Sequence, residues 1–452
     1  MDTNGQKTTK KSFIDKLQEQ MERFIIPVAQ KIGDQRHLAS VRDGMTVLVP
    51  ITIIGGIFCL LAVPPVDLNK IKGTNFFYQF LIAWKHFADA HNATLITPYN
   101  LTIGIISIYV VAGIAYRLAA YYKMNTITNV IGSIFIFLLI AAPTQSYKVG
   151  ETVISAMPTS QLGAGAMFAA IITAIIVVEI GHFCVKKNIV IKLPASVPPN
   201  VAAPFTALIP MTISLLLFIG GNALCNSLTG AGLTQLIFKV FQPLISATGS
   251  LPSIILINVL MTMFWFFGIH GGNMVGVVVT PITTMNLALN AQAYAAGKPL
   301  PAIFAGSVNS VFGGWISYTA MAIVILIGCK AASLRSVSKV ALVPSMFNIN
   351  EPLIFGIPTV LNPFTVVGFL ICNNVNFSIA YILMSTGVIG KFFITLPFTV
   401  PGPIAAFLAT MDIKATILWF ALLLLDIIIL LPILKAYDKN VMNKEEKELV
   451  EV

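Results

Sequence analysis

Residues 415–435 read ATILWFALLLLDIIILLPILK, an unbroken apolar run with a single aspartate inside it and a lysine at its end. At about 1.5 Å per helical residue such a run covers about 30 Å, the hydrocarbon thickness of a bilayer. A soluble helix alternates apolar stripes with charge, whereas here the charges stand outside the run. The same texture recurs at about 43–63, 99–120, 126–143, 162–185, 204–224, 252–269, 273–290, 308–329 and 364–387. The ten segments together imply an all-α polytopic membrane protein.

Composition points the same way, with 56 % hydrophobic and 10 % charged residues against about 25 % charged in an ordinary soluble domain. The net charge of +10 does not indicate a nucleic-acid reader, which needs a basic face with stacking aromatics on a soluble fold. Here the positive charge follows one set of loops. Most of the 28 Lys and Arg lie in the segment up to Arg42, at Arg117 and Lys123, at Lys186, Lys187 and Lys192, at Lys330, Arg335 and Lys339, and from Lys435 onward. The positive-inside rule places that set, and with it both termini, in the cytoplasm. The basic start lacks the short apolar core and small-residue cleavage site of a secretory signal.

The chain divides into five parts on this reading. Within residues 1–42, the stretch 12–31 places Phe13, Leu17, Met21, Phe24 and Val28 at helical spacing, as in an amphipathic helix lying on the membrane. Residues 43–224 form a first bundle, and 225–250, with Leu233, Leu236, Ile237, Val240 and Phe241, an amphipathic connector. Residues 251–438 form a second bundle, and 439–452 a cytoplasmic tail. No internal repeat is evident between the two bundles.

Cys59, Cys184, Cys225, Cys329 and Cys372 are scattered through apolar segments, so they read as small buried residues and not as a disulfide framework or zinc site. The five histidines show no ligand spacing, so no metal and no cofactor is expected. Ionisable residues inside spans are few and each is a functional hypothesis. Glu179, near one end of its span, reads as an interfacial or packing carboxylate; Asp426 reads as paired inside the bundle, with proton coupling as its functional alternative.

Two interruptions carry the chemistry. Residues 341–363, ALVPSMFNINEPLIFGIPTVLNP, are apolar enough to enter a membrane but hold four prolines and Gly356, so a regular helix is excluded. Pro352 disfavours the α region for Glu351. The second break, residues 266–273, sets His270 among Gly268, Gly271 and Gly272. Irregular backbone survives at membrane depth only when buried in protein or lining a wet cavity, so the two breaks are expected to meet. A carboxylate, an imidazole, the amides of Asn350 and Asn273, Gly271, and the ring of Trp265 suit a neutral, hydroxyl-rich ligand. Neither break holds Arg or Lys, which counts against an anionic one.

At these residues the chain resembles enzyme IIC, the membrane subunit of the lactose/cellobiose family of the phosphoenolpyruvate-dependent sugar phosphotransferase system. The resemblance covers nearly the whole chain. Its most specific element is FNINEPLIFGIPTVLNP, Phe347 to Pro363, supported by WFFGIHG, Trp265 to Gly271, and IKLPASVPPNVAAPFTALIP, Ile191 to Pro210. It implies a permease in a bacterial plasma membrane, a homodimer joined through the amino-terminal bundle. The other bundle would bind a β-linked disaccharide such as cellobiose, lactose or chitobiose. The sugar would move inward by alternating access and be phosphorylated by a phosphocysteine on a soluble enzyme IIB, itself charged through enzyme IIA and HPr.

Carried onto this chain, the resemblance makes Glu351 and His270 the catalytic pair, the carboxylate accepting the sugar hydroxyl proton and the imidazole orienting the ring. Three departures bear on substrate identity. Phe398 stands where the family often has a sugar-stacking tryptophan, Trp315 to Thr319 are bulkier than usual, and Ala195 replaces an aspartate. The end of the chain is too short for a fused IIB domain, so a separate partner is expected. The competing reading is an ion-coupled secondary sugar transporter, with Asp426 as its best feature. A self-contained membrane enzyme is disfavoured, since no metal site or activated nucleophile is evident.

Overall fold

A computed structural model describes residue 31 and residues 35–450, apart from 65, 67, 69–74, 195 and 358. The amphipathic helix expected over 12–31 and the departure at Ala195 therefore fall outside the described residues, save for Lys31. Among those described, seven helices are long and apolar enough to cross a membrane, or up to nine if each of two bent pairs is one span. The remaining apolar segment, expected at 126–143, is the shorter helix Thr126–Ala141.

The first bent pair is α1, Arg36–Thr46, and α2, Val49–Ala62, meeting at 41°. The expected first span, 43–63, thus begins inside a helix that starts at Arg36. Next come α3, Phe76–Ala90, capped by Asn75; α4, Ile106–Tyr121; and α5, Thr126–Ala141, capped by Asn125. A hairpin of β1, Gln145–Val149, and β2, Thr152–Ala156, pairs Val149 with Thr152 around a turn where Gly150 has φ +63°. Then follow α6, Met167–Lys186, and α7, Pro199–Thr229.

The expected connector is α8, Leu233–Thr248, but residues 225–229 belong to α7. It meets α9, Leu251–Phe266, at 72°. The carboxy-terminal bundle continues with α10, Gly271–Ala295; α11, Trp315–Gly328, entered through a π-helical turn at Ser310–Gly314; and α12, Ala332–Met346. It closes with α13, Glu351–Gly356; α14, Pro363–Ser385; α15, Gly402–Thr410; and α16, Ile413–Val450. The separate tail expected from 439 is the continuation of α16 as far as Val450. Residues 341–346, expected to be broken, are the end of α12, which accommodates Pro344 in its last turn.

Close packing between α1 and α4 comes from paired glycines. A Cβ at Gly113 would lie 2.4 Å from the Gly44 carbonyl oxygen, and one at Gly44 2.7 Å from Ile114 N. Only hydrogen at both positions allows the main chains to touch, the small-residue mode of helix association in membranes. One apolar core gathers α1, α4 and α6 and extends to Ile282, Met285, Ala288 and Ala291 of α10. A second joins α14, α15 and α16 to the turn before α11. Four of the five cysteines are buried in this packing, while Cys225 is only half-buried.

The carboxylates within spans have polar partners. Glu179 lies 2.6 Å from Nε2 of His37 and accepts a hydrogen bond from the Tyr122 hydroxyl, with Arg36 at 3.9 Å. Asp426 is fully buried and accepts from the Ser317 hydroxyl at 2.8 Å and the Asn376 amide at 2.9 Å. Further along α16, Asp438 accepts from the main-chain N–H groups of Lys330 and Ala331, both at 2.8 Å, and Arg335 donates to the carbonyls of Leu326 and Cys329. These contacts close the α11–α12 turn.

Candidate functional site

The two interruptions are narrower than the sequence suggests and are joined to each other. Between α9 and α10 the chain turns over residues 267–270, where Gly268 takes φ +77°, open to glycine at little cost. The α12–α13 turn uses Asn348 at φ +63°, a conformation asparagine tolerates better than most residues. After α13 the chain turns at Leu361, φ +55°, whose N–H donates to the Phe266 carbonyl at 2.8 Å. Asn362 then caps α14 through the N–H of Phe364, ahead of Pro363. In this way carbonyls and N–H groups freed by the breaks find partners in each other, as burial demands.

Where the breaks meet there is a cavity of about 570 Å³. It is lined by His270, Glu351, Asn350, Asn273, Trp265 and Phe398, together with the polar side chains of Asn258, Thr262, Asn309, Thr359 and Asn373. Of the site residues expected from the sequence, Gly271 alone does not line it, and its neighbour Gly272 does. A Cβ on Gly271 would stand 2.2 Å from the Met261 carbonyl oxygen, so this glycine lets the start of α10 press against α9. Trp315 and Tyr318, the bulky residues of the expected small-residue run, are also in the wall.

His270 occupies the N-cap of α10, and its Nδ1 accepts from the Asn273 N–H at 3.1 Å. A neutral imidazole whose Nδ1 accepts carries its proton on Nε2, leaving that nitrogen as a donor. The ring lies 4.4 Å, centroid to centroid, from Trp265. Among the described residues the Glu351 carboxylate makes no hydrogen bond or ion pair, and no Lys or Arg lines the cavity. Asn348 fixes the loop carrying Phe398 by donating to the carbonyls of Phe398 and Val400 at 2.6 and 2.8 Å.

The neutral amides of Asn258, Asn309 and Asn373 are what the sequence reading missed. Asn309 donates to Asn258 Oδ1 at 2.7 Å, while Asn258 Nδ2, Asn309 Oδ1 and Asn350 Oδ1 are buried without a partner among the described residues. A buried polar atom left unpaired costs about 1–3 kcal/mol. Amide side chains in one wall suit a ligand whose groups both donate and accept, as hydroxyls do. Behind them the Ser317 hydroxyl sits 3.0 Å from Asn373 Oδ1, linking the wall to Asp426. The overlooked signal was an asparagine in the middle of an apolar span.

A helical bundle that encloses a polar, cation-free cavity defines a multi-span membrane transporter. The family model described as "Phosphotransferase system, EIIC" matches residues 42–372, and the chain belongs to this family. It is 33 % identical over 440 residues to the oligo-beta-mannoside-specific EIIC component of Bacillus subtilis (strain 168), across 96 % of this chain and 97 % of that one. It is 29 % identical to the lactose-specific EIICB component of Lacticaseibacillus casei, across 94 % of this chain and 72 % of that one. In structure it matches ChbC, the IIC component from the N,N'-diacetylchitobiose-specific phosphotransferase system. That match has a TM-score of 0.84 and 29 % identity and covers 94 % of this chain and 99 % of ChbC.

Proposed function

We propose that this EIIC component carries a β-linked disaccharide of the cellobiose, lactose or chitobiose type through the cavity between the two breaks and presents it for phosphorylation. The observation that carries this reading is the wall of neutral amides beside Glu351 and His270, with no cation among the described lining residues to hold an anion. The sugars for which the relatives are named, oligo-β-mannoside, lactose and diacetylchitobiose, are of the same class.

In this proposal the neutral His270 donates from Nε2 to one sugar hydroxyl, and the rings of Trp265 and Phe398 cover the sugar's apolar faces. Glu351 accepts the proton of the reacting hydroxyl. That oxygen then attacks phosphorus on the phosphocysteine of a cytosolic enzyme IIB, the O–P bond forming as the S–P bond breaks. The transfer depends mainly on positioning and on charge stabilisation, so one acceptor held in place suffices. The product gains about two negative charges at pH 7, and a dianion fits a cation-free cavity poorly, which drives release to the cytoplasm. The relative that carries IIC and IIB in one chain keeps such a donor close to the permease.

On the same reading residues 43–224 form the interface of a homodimer and 251–438 hold the sugar, with both termini in the cytoplasm of a bacterial cell. The competing reading, an ion-coupled secondary transporter, finds less support. Asp426 is buried behind the wall with its oxygens engaged by Ser317 and Asn376, and membership of the EIIC family favours phosphoryl coupling. The test is a panel of β-linked disaccharides offered to vesicles containing the chain, with enzyme I, HPr, enzymes IIA and IIB and phosphoenolpyruvate supplied on the cytoplasmic side. Phosphorylated sugar inside the vesicles supports the proposal; uptake of unmodified sugar that requires a proton gradient overturns it.

A further inference from the structure

A second cavity, of about 470 Å³, opens in the other bundle between α5, α6 and α7. Its mouth is formed by Tyr122, Lys123 and Asn125 at the α4–α5 turn and by His182 and Lys186 at the end of α6. Its depth is apolar, reaching Gly132 on α5, Val177 on α6, and Ala207, Pro210 and Met211 on α7. Val177 is nine residues before Lys186, so at about 1.5 Å per residue the slot runs about 13 Å below the basic rim.

Among the described residues the charge at the rim is uncompensated. Among the described residues no Asp or Glu lines the cavity, and neither Lys123 nor Lys186 makes a hydrogen bond or ion pair. The nearby carboxylate, Glu179, lies outside the lining and is taken up by His37, Arg36 and the Tyr122 hydroxyl. Tyr122 in turn stacks on His182 with ring centroids 3.8 Å apart, so both rings are held at the mouth. The amino-terminal end of α5, positive by its dipole, opens at the same place.

We propose that this cavity is a binding site for an anionic phospholipid, its phosphate held between Lys123 and Lys186 and one acyl chain lying in the slot between α6 and α7. Both lysines stand where a span leaves the bilayer, at the depth of lipid headgroups. A free phosphate ion matches the rim but has no use for the slot. A zwitterionic lipid matches the slot, but its own ammonium offsets the attraction to the lysines.

The test is thermal unfolding of the purified full-length chain in a neutral detergent, titrated separately with dioleoylphosphatidylglycerol, dioleoylphosphatidylcholine and inorganic phosphate. The glycerol lipid is expected to raise the midpoint and saturate, and the other two to leave it unchanged. Each ammonium near a lipid surface contributes about a fivefold factor in binding, so Lys123→Gln with Lys186→Gln is expected to weaken the effect by about thirtyfold. Lys123→Arg with Lys186→Arg is expected to keep it, and Ala207→Phe, which fills the slot, to abolish it. Equal stabilisation by the choline lipid, or by inorganic phosphate, overturns the proposal on the unaltered protein, whether or not the variants fold. Full retention of the effect in the glutamine variant overturns it as well.

Discussion

The main-chain N–H of Leu361 donates to the carbonyl of Phe266 at 2.8 Å, so the break that follows Glu351 is tied directly to the break that precedes His270. Proline at 361 has no N–H to give and cannot adopt the observed φ of +55°. Leu361→Pro is therefore expected to lower sugar affinity by about tenfold or more, whereas Leu361→Asn, which tolerates the left-handed region, keeps it within about twofold. Calorimetric titration of both variants with the preferred disaccharide checks this. Equal affinities would show that the tie does not position the site.

Glu351→Gln keeps the shape of the side chain and removes the proton acceptor. General-base loss costs about 10²–10⁴ in rate, while a glutamine still hydrogen-bonds a hydroxyl, so affinity is expected to change far less. Initial rates of sugar phosphorylation in vesicles, set beside equilibrium binding, separate the two effects. A variant working at full rate removes Glu351 from the base role.

His270→Asn retains a side chain able to cap α10 but withdraws the Nε2 donor from the cavity. One hydrogen bond contributes about 0.5–1.5 kcal/mol net, which corresponds to a loss of about two- to tenfold in sugar affinity with little change in thermal midpoint. If affinity is unaltered while stability falls, the imidazole serves the helix and not the ligand.

Asp426→Asn leaves Ser317 and Asn376 with a polar neighbour of the same shape. Under phosphoryl coupling its uptake is expected to persist and to remain indifferent to a protonophore, as in the unaltered chain. Collapse of proton-driven accumulation in this variant alone would instead mark Asp426 as a coupling group.

The breaks were legible in the sequence because proline and glycine act on the backbone locally, and an unpaired backbone group inside a membrane has to find a partner nearby. That requirement alone was enough to anticipate that His270 and Glu351 would face one cavity. It gave no reach to Asn258, Asn309 or Asn373, because a neutral amide does not lower the hydropathy of its span enough to be noticed, and its pairing is decided by which helices meet. Helix α3 was missed for the opposite reason, since Lys85, His86 and Asp89 interrupt its apolar run. The hairpin at 145–156 is too short and too exposed to leave a periodic signature.

Gly44 and Gly113 press two helices together with no layer of side chains between them. Sliding needs such a layer to yield, so α1 and α4 behave as one welded beam. A larger side chain at either glycine has no room and has to pry that beam open.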